Sequence, residues 1–185
     1  MPHHILLDIL LHHCSHLQDL EVEVDDGTNA FRFLSALFGG NWPRLTRFTI
    51  STYLVIESHD SAFEGLSASF SQFIKNHETI ERLFVVFPSL ISSSHSDFSP
   101  LSKLLALGIP WSPNLGFVFH TTVPQNIEYL NFRSNILSMH LFSQLSSLHT
   151  VIMELDELGS GCMTLDSLPR NIRRINLLLR EDIAV

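Results

Sequence analysis

Short apolar alternations recur along this chain, each introduced by an apolar residue three positions earlier. The fullest runs Ile127, Leu130, Phe132, Asn135, Leu137. The same opening appears at Leu17-Leu20-Val22-Val24, Leu45-Phe48-Ile50, Ile80-Leu83-Val85, Leu148-Val151-Met153 and Ile172-Ile175-Leu177, with a weaker copy at Leu104-Leu107-Ile109. Alternation with a period of two predicts a short strand with one face in a core. The openings stand at 17, 45, 80, 104, 127, 148 and 172, so the steps are 28, 35, 24, 23, 21 and 24 residues.

Between the strands the period changes. Phe31, Leu34 and Phe38 make a helical stripe over 29–38, closed by Gly39-Gly40. Ser61 and Glu64 form a capping-box pair before Phe63, Leu66, Phe70, Phe73 and Ile74. Ile5, Leu6, Ile9 and Leu10 predict a first helix ahead of the Leu17 strand. Such units bury their apolar side only against a neighbour, which predicts stacking with a parallel sheet on one side. Residues 89–103, Ser-rich with one Pro, read as a surface loop, and Asp25-Asp26-Gly27 as a turn. Residues 108–126 hold Pro110, Pro113 and Pro124, and Leu115–Phe119 there is a candidate extra strand.

The Ile127–Leu137 stretch resembles the leucine-rich-repeat template L-x-x-L-x-L-x-x-N-x-L, whose copies span about 20–29 residues. The resemblance implies an α/β fold. It would be an irregular leucine-rich-repeat solenoid, with the parallel sheet on its concave face and helices or coils on the convex face. Residues 1–185 would then be one such domain of six to seven irregular repeats, within a longer array. In that template Asn135 would hydrogen-bond backbone groups of the neighbouring coil, and Leu137 would return to the core. The competing reading is an ordinary α/β domain whose strands happen to begin L-x-x-L.

Leu6-Leu7-Asp8-Ile9-Leu10 followed by Cys14-Ser15-His16-Leu17-Gln18-Asp19-Leu20, then Trp42-Pro43-Arg44-Leu45 and Leu168-Pro169-Arg170-Asn171-Ile172, is similar to the divergent fungal branch of F-box-type leucine-rich-repeat proteins. That resemblance covers about residues 5–180. It implies a protein target, and a role as the substrate-recognition arm of an F-box-type ubiquitin-ligase subunit. A ligase adaptor would be met through a preceding helical region. Pro2-His3-His4-Ile5-Leu6-Leu7 echoes the opening of an F-box, but the rest of that box, with its basic and Trp positions, gives way to the Leu17 strand.

In strands of this kind the alternate residues face outward. The expected protein-binding row is Glu21, Glu23, Thr49, Ser51, Phe84, Val86, Asn131, Arg133, Ile152, Glu154, Asn176 and Leu178. It is acidic at one end, apolar in the middle and mixed at the other. An apolar centre with a polar rim suits a protein partner, and Phe84 is the expected anchor. The alternative is that the Ser-rich loop covers Phe84 and Val86.

Composition narrows the classes. The 185 residues include 14 Phe and are 45% hydrophobic, enough for a core, while only 16% are charged. The net charge is −8, and the largest basic group is Arg170, Arg173 and Arg174, so nucleic acid is not an expected partner. No stretch has the length and purity of a membrane span, and the N-terminus lacks the pattern of a signal peptide. Two distant cysteines, Cys14 and Cys162, suggest reduced thiols and an intracellular setting, cytoplasm or nucleus.

No cofactor, metal or catalytic residue is expected. His12, His13, Cys14 and His16 are ligand types, and His12 and His16 stand one helical turn apart. Cys14, however, occupies a packing position, and no second Cys/His pair lies nearby. Gly159-Ser160-Gly161-Cys162 reads as a turn, and Glu154, Asp156 and Glu157 as surface acid. Neither a G-x-S-x-G elbow nor a G-x-x-x-x-G-K loop is present. The alternative function is an α/β enzyme with an unrecognised active site.

Overall fold

The structure, a computed structural model, describes residues 3–25, 29–52, 61–87, 97–109, 124–133, 145–155 and 169–179. Seven strands form one sheet: β1 Asp19–Val24, β2 Arg47–Thr52, β3 Arg82–Val86, β4 Ala106–Ile109, β5 Tyr129–Arg133, β6 Thr150–Leu155 and β7 Arg174–Leu179. Three helices precede or join the first strands: α1 His3–His13, α2 Ala30–Phe38 and α3 Ser61–Asn76. Every neighbouring pair of strands is parallel, and the spatial order β1 to β7 is the chain order.

That order has a geometric consequence. Parallel crossovers are nearly always right-handed. When strand order never reverses, crossovers of one hand all lie on the same face. The core agrees, since the side chains that β1 and β2 bury alternate strictly with exposed or half-buried ones. Leu20, Phe48, Leu83, Leu107, Leu130, Val151 and Ile175 occupy one register row across all seven strands. From Phe48 to Val151 that row is wholly buried.

The helices supply the other half of the core. α2 buries Ala30, Leu34, Leu37 and Phe38, and α3 buries Leu66, Phe70, Phe73 and Ile74. Both sets follow the i, i+4, i+7, i+8 stripe of a surface helix. Aromatic rings fill the seam. Phe73 lies 4.8 Å from Phe48 and 5.7 Å from Phe38 by ring centroids, and Phe38 lies 5.2 Å from Phe70. Such tilted contacts add to the burial of the rings themselves.

The lead-in to the strands is built the same way along the sheet. A tight turn ends with an N–H donated back three residues, as in Leu17 to Cys14, Leu45 to Trp42, Ile80 to His77, Leu148 to Leu145 and Ile172 to Pro169. The residue after that turn then offers its carbonyl to two consecutive N–H groups of the next lead-in. Gln18 accepts from Thr46 and Arg47, Thr46 from Glu81 and Arg82, and Glu81 from Leu105 and Ala106. Leu105 accepts from Glu128 and Tyr129, Glu128 from His149 and Thr150, and His149 from Arg173 and Arg174. Side chains add a second tie between turns. Asn126 donates to the Ser102 carbonyl at 3.1 Å, Asn171 to that of Ser146 at 2.6 Å, and Thr79 to that of Leu45 at 2.7 Å.

The structure refines several expectations. α1 forms ahead of β1 as expected, with Leu7, Leu10 and Leu11 against the core and Ile9 45% exposed. Of the expected surface loop at 89–103, residues 97–103 are described, and there Phe98 and Leu101 are buried in the core. Gly39 ends α2 as expected, with a right-handed φ of −77°, and no described glycine has positive φ. What the Gly39-Gly40 pair provides is room: a Cβ on Gly40 would stand 2.4 Å from the Trp42 ring. Asn135, Leu137, Leu115–Phe119, Asp26-Gly27, Asp156, Glu157 and the Gly159–Cys162 turn lie outside the described residues.

Candidate functional site

The face of the sheet opposite the helices carries three register rows. Nearest the strand starts run Asp19, Arg47, Arg82, Ala106, Tyr129, Thr150 and Arg174. The middle row is Glu21, Thr49, Phe84, Gly108, Asn131, Ile152 and Asn176. The third row joins Glu23, Ser51 and Val86 on one side, and Arg133, Glu154 and Leu178 on the other. The expected binding residues therefore fall on two adjacent rows. The side chains of Arg133, Glu154 and Leu178 lie outside the described set.

Exposure varies along these rows. Glu21, Glu23 and Asn176 are exposed, and Thr49, Ser51, Asn131 and Ile152 are half-buried. Val86 is 51% exposed, the most of any large apolar side chain described, while Phe84 is only half-buried. The reason lies one strand away. A Cβ on Gly108 would meet Phe84 Cδ1 at 2.3 Å, so the ring lies down over the glycine. Its far side meets Tyr129 edge-on, with centroids 6.0 Å apart. Ala106 and Gly108 give β4 almost no bulk on this face, and Phe84 and Tyr129 lean into the gap. The result is an apolar platform across β3, β4 and β5, with Val86 standing at its margin.

The row nearest the strand starts was absent from the expected site, though the L-x-x-L spacing contains it. Its residues precede the middle row by two, and side chains two apart on a strand share a face. It places an ion pair, Arg47 to Asp19 at 2.9 Å, beside the acidic pair Glu21 and Glu23. Both partners are about half exposed, so the pair orients charge more than it stabilises. Glu128 Oε2 and His149 Nε2 lie 3.5 Å apart, both partly exposed.

Among the described residues one titratable group is shifted from its ordinary range. It is His77, behind the sheet, whose pKa is lowered because burial disfavours its charged form. Its Nε2 accepts the Trp42 backbone N–H at 3.0 Å, and its Nδ1 lies 2.7 Å from the Phe73 carbonyl. That pairing assigns the neutral tautomer with hydrogen on Nδ1. The Trp42 indole donates in turn to the Leu10 carbonyl at 3.0 Å. Trp42 and His77 thus tie α1, the turn before β2 and the end of α3 together. The sequence singled out neither residue for this role.

His12 pairs with Asp8 at 3.4 Å on the exposed side of α1, and Cys14 is a free, partly buried thiol. Among the described residues no three His, Cys, Asp or Glu side chains converge as metal ligands, and no helix is long and apolar enough to cross a membrane. Compared with protein-family models and with curated proteins, the sequence returns no match.

Proposed function

We propose that this chain is a non-catalytic protein-recognition segment of leucine-rich-repeat type, and that it binds a partner on the open face of its sheet. The single observation that carries this reading is the apolar platform of Phe84, Gly108 and Tyr129, with Val86 exposed beside it and polar side chains on either hand. A partner that covers Val86 and the Phe84 ring removes apolar surface from water. The chain-ordered parallel sheet and the recurring lead-in bonds support the solenoid reading.

The F-box resemblance extends the proposal to the substrate-recognition arm of a ubiquitin-ligase subunit, working inside the cell and reaching a ligase adaptor through another region. The enzyme alternative gains little from the topology. Open α/β sheets bind small molecules where strand order reverses, and the order here runs from β1 to β7 without reversal.

The test is a comparison of two surface variants in affinity capture. Val86→Asp places a charge on the platform's margin, and Lys75→Glu alters the exposed end of α3. Loss of a captured protein with Val86→Asp and its retention with Lys75→Glu supports recognition through the open face. Equal capture by both, in folded protein, overturns it.

A further inference from the structure

The two edges of the sheet are complementary to one another. In a parallel ladder the backbone groups of alternate residues point to opposite sides. β1 pairs with β2 through the carbonyl of Gln18, and so turns the N–H and C=O of Asp19, Glu21 and Glu23 away from the sheet. β7 pairs with β6 through the N–H of Arg174, which leaves the carbonyl of Arg173 and the backbone groups of Ile175 and Leu177 facing outward. At the six junctions within the sheet a carbonyl equivalent to that of Arg173 receives two N–H groups from the next lead-in. The donors equivalent to those are the N–H groups of Gln18 and Asp19, at the opposite edge of the sheet.

Side chains follow the same complementarity. β1 exposes Asp19, Glu21 and Glu23, while β7 and its lead-in expose Arg170, Arg173 and Arg174. Ile175 is 38% exposed, although its row-mates Phe48, Leu83, Leu107, Leu130 and Val151 are wholly buried. We propose that β7 of one copy of this chain receives β1 of a second copy, extending the parallel sheet head to tail in the register already used inside it. Arg174 then lies beside the second copy's Asp19, as Arg47 lies beside Asp19 within the chain. Pairing like edges would instead gather arginines against arginines or carboxylates against carboxylates. The contact joins different surfaces of identical molecules, so each copy added offers a new edge and the assembly grows past a dimer with concentration. This inference is independent of the partner reading above.

Sedimentation velocity on the full chain, from about 1 µM to about 1 mM, tests it. The expected result is a mass that rises continuously with concentration and does not stop at a dimer. Arg174→Glu and Asp19→Arg, each alone, weaken association about tenfold, because an attraction becomes a repulsion. Mixed in equal amounts they restore it, since each then meets an opposite charge at both junctions. Ile175→Lys, which leaves every carboxylate in place, also weakens it. Circular dichroism of each variant establishes that it is folded. A wild-type chain that stays a single monomer throughout, a dimer that grows no further, or variants that the mixture fails to rescue would each overturn the proposal.

Discussion

The ring of Phe84 lies on Gly108, in the neighbouring strand, so closely that a methyl group there would stand 2.3 Å from Cδ1. The same ring meets Tyr129 in the strand beyond. One glycine therefore decides whether the platform is flat. Gly108→Ala should force the Phe84 ring off its seat and cost about 1–3 kcal/mol by overpacking. The check is a double-mutant cycle by urea denaturation. In a Phe84→Ala background the same change should be near neutral or slightly stabilising, because Ala restricts the unfolded chain more than Gly does. An equal cost in both backgrounds would show that the ring is not the obstacle.

His77 makes stability depend on pH. Burial holds its pKa below the ordinary 6.5, despite the opposing pull of the Phe73 carbonyl. A folded pKa below the unfolded one means that the unfolded chain binds the proton more readily. The stabilisation is therefore complete above 6.5 and is lost as pH falls from there through the folded pKa. Protonation also sets an N–H of the ring against the N–H of Trp42. Urea midpoints measured from pH 8 to pH 5 should decline more steeply for the wild type than for His77→Gln. The difference in slope has a ceiling of about 1.4 kcal/mol per pH unit, the value for one proton. Parallel curves would remove His77 as the cause.

Trp42→Phe keeps most of the buried ring and deletes the bond from the indole N–H to the Leu10 carbonyl. The expected loss is about 0.5–1.5 kcal/mol, the net worth of the missing bond. It should be felt locally. Amide hydrogen exchange should quicken in α1 before it quickens in β2 or β3. Uniform acceleration along the chain would mean that Trp42 supports the whole core rather than the attachment of α1.

Asn171→Ala removes the 2.6 Å bond to the Ser146 carbonyl and leaves β7 attached through its backbone ladder. The expected cost is about 0.5–1.5 kcal/mol. Protection of the β7 amides should fall while that of β2 and β3 is unchanged. Asn126→Ala, which breaks the corresponding tie to Ser102, should act on β5 instead.

The strands were readable from the sequence because their signal is local. An apolar residue, two positions, then an alternation is enough to place Leu20, Phe48, Leu83, Leu107, Leu130, Val151 and Ile175, and all seven fall on one row. α2 and α3 were readable for the same reason. α1 was readable as a helix but its buried side was not, because Ile5, Leu6, Leu7, Ile9, Leu10 and Leu11 leave that side undefined, and only the assembled core selects Leu7, Leu10 and Leu11. The site was readable in part. Alternation gave two of its rows, but the posture of Phe84 depends on a glycine that the chain reaches 24 residues later. His77 was equally hidden, since the N–H it accepts belongs to a residue 35 positions earlier.

Because each described strand pairs only with those just before and after it in the chain, β1 and β7 share no ladder bond. Tension applied between them would meet no single clasp. The sheet would give way a strand at a time from its margins, and a stretched molecule would lengthen in a staircase rather than snap open at once.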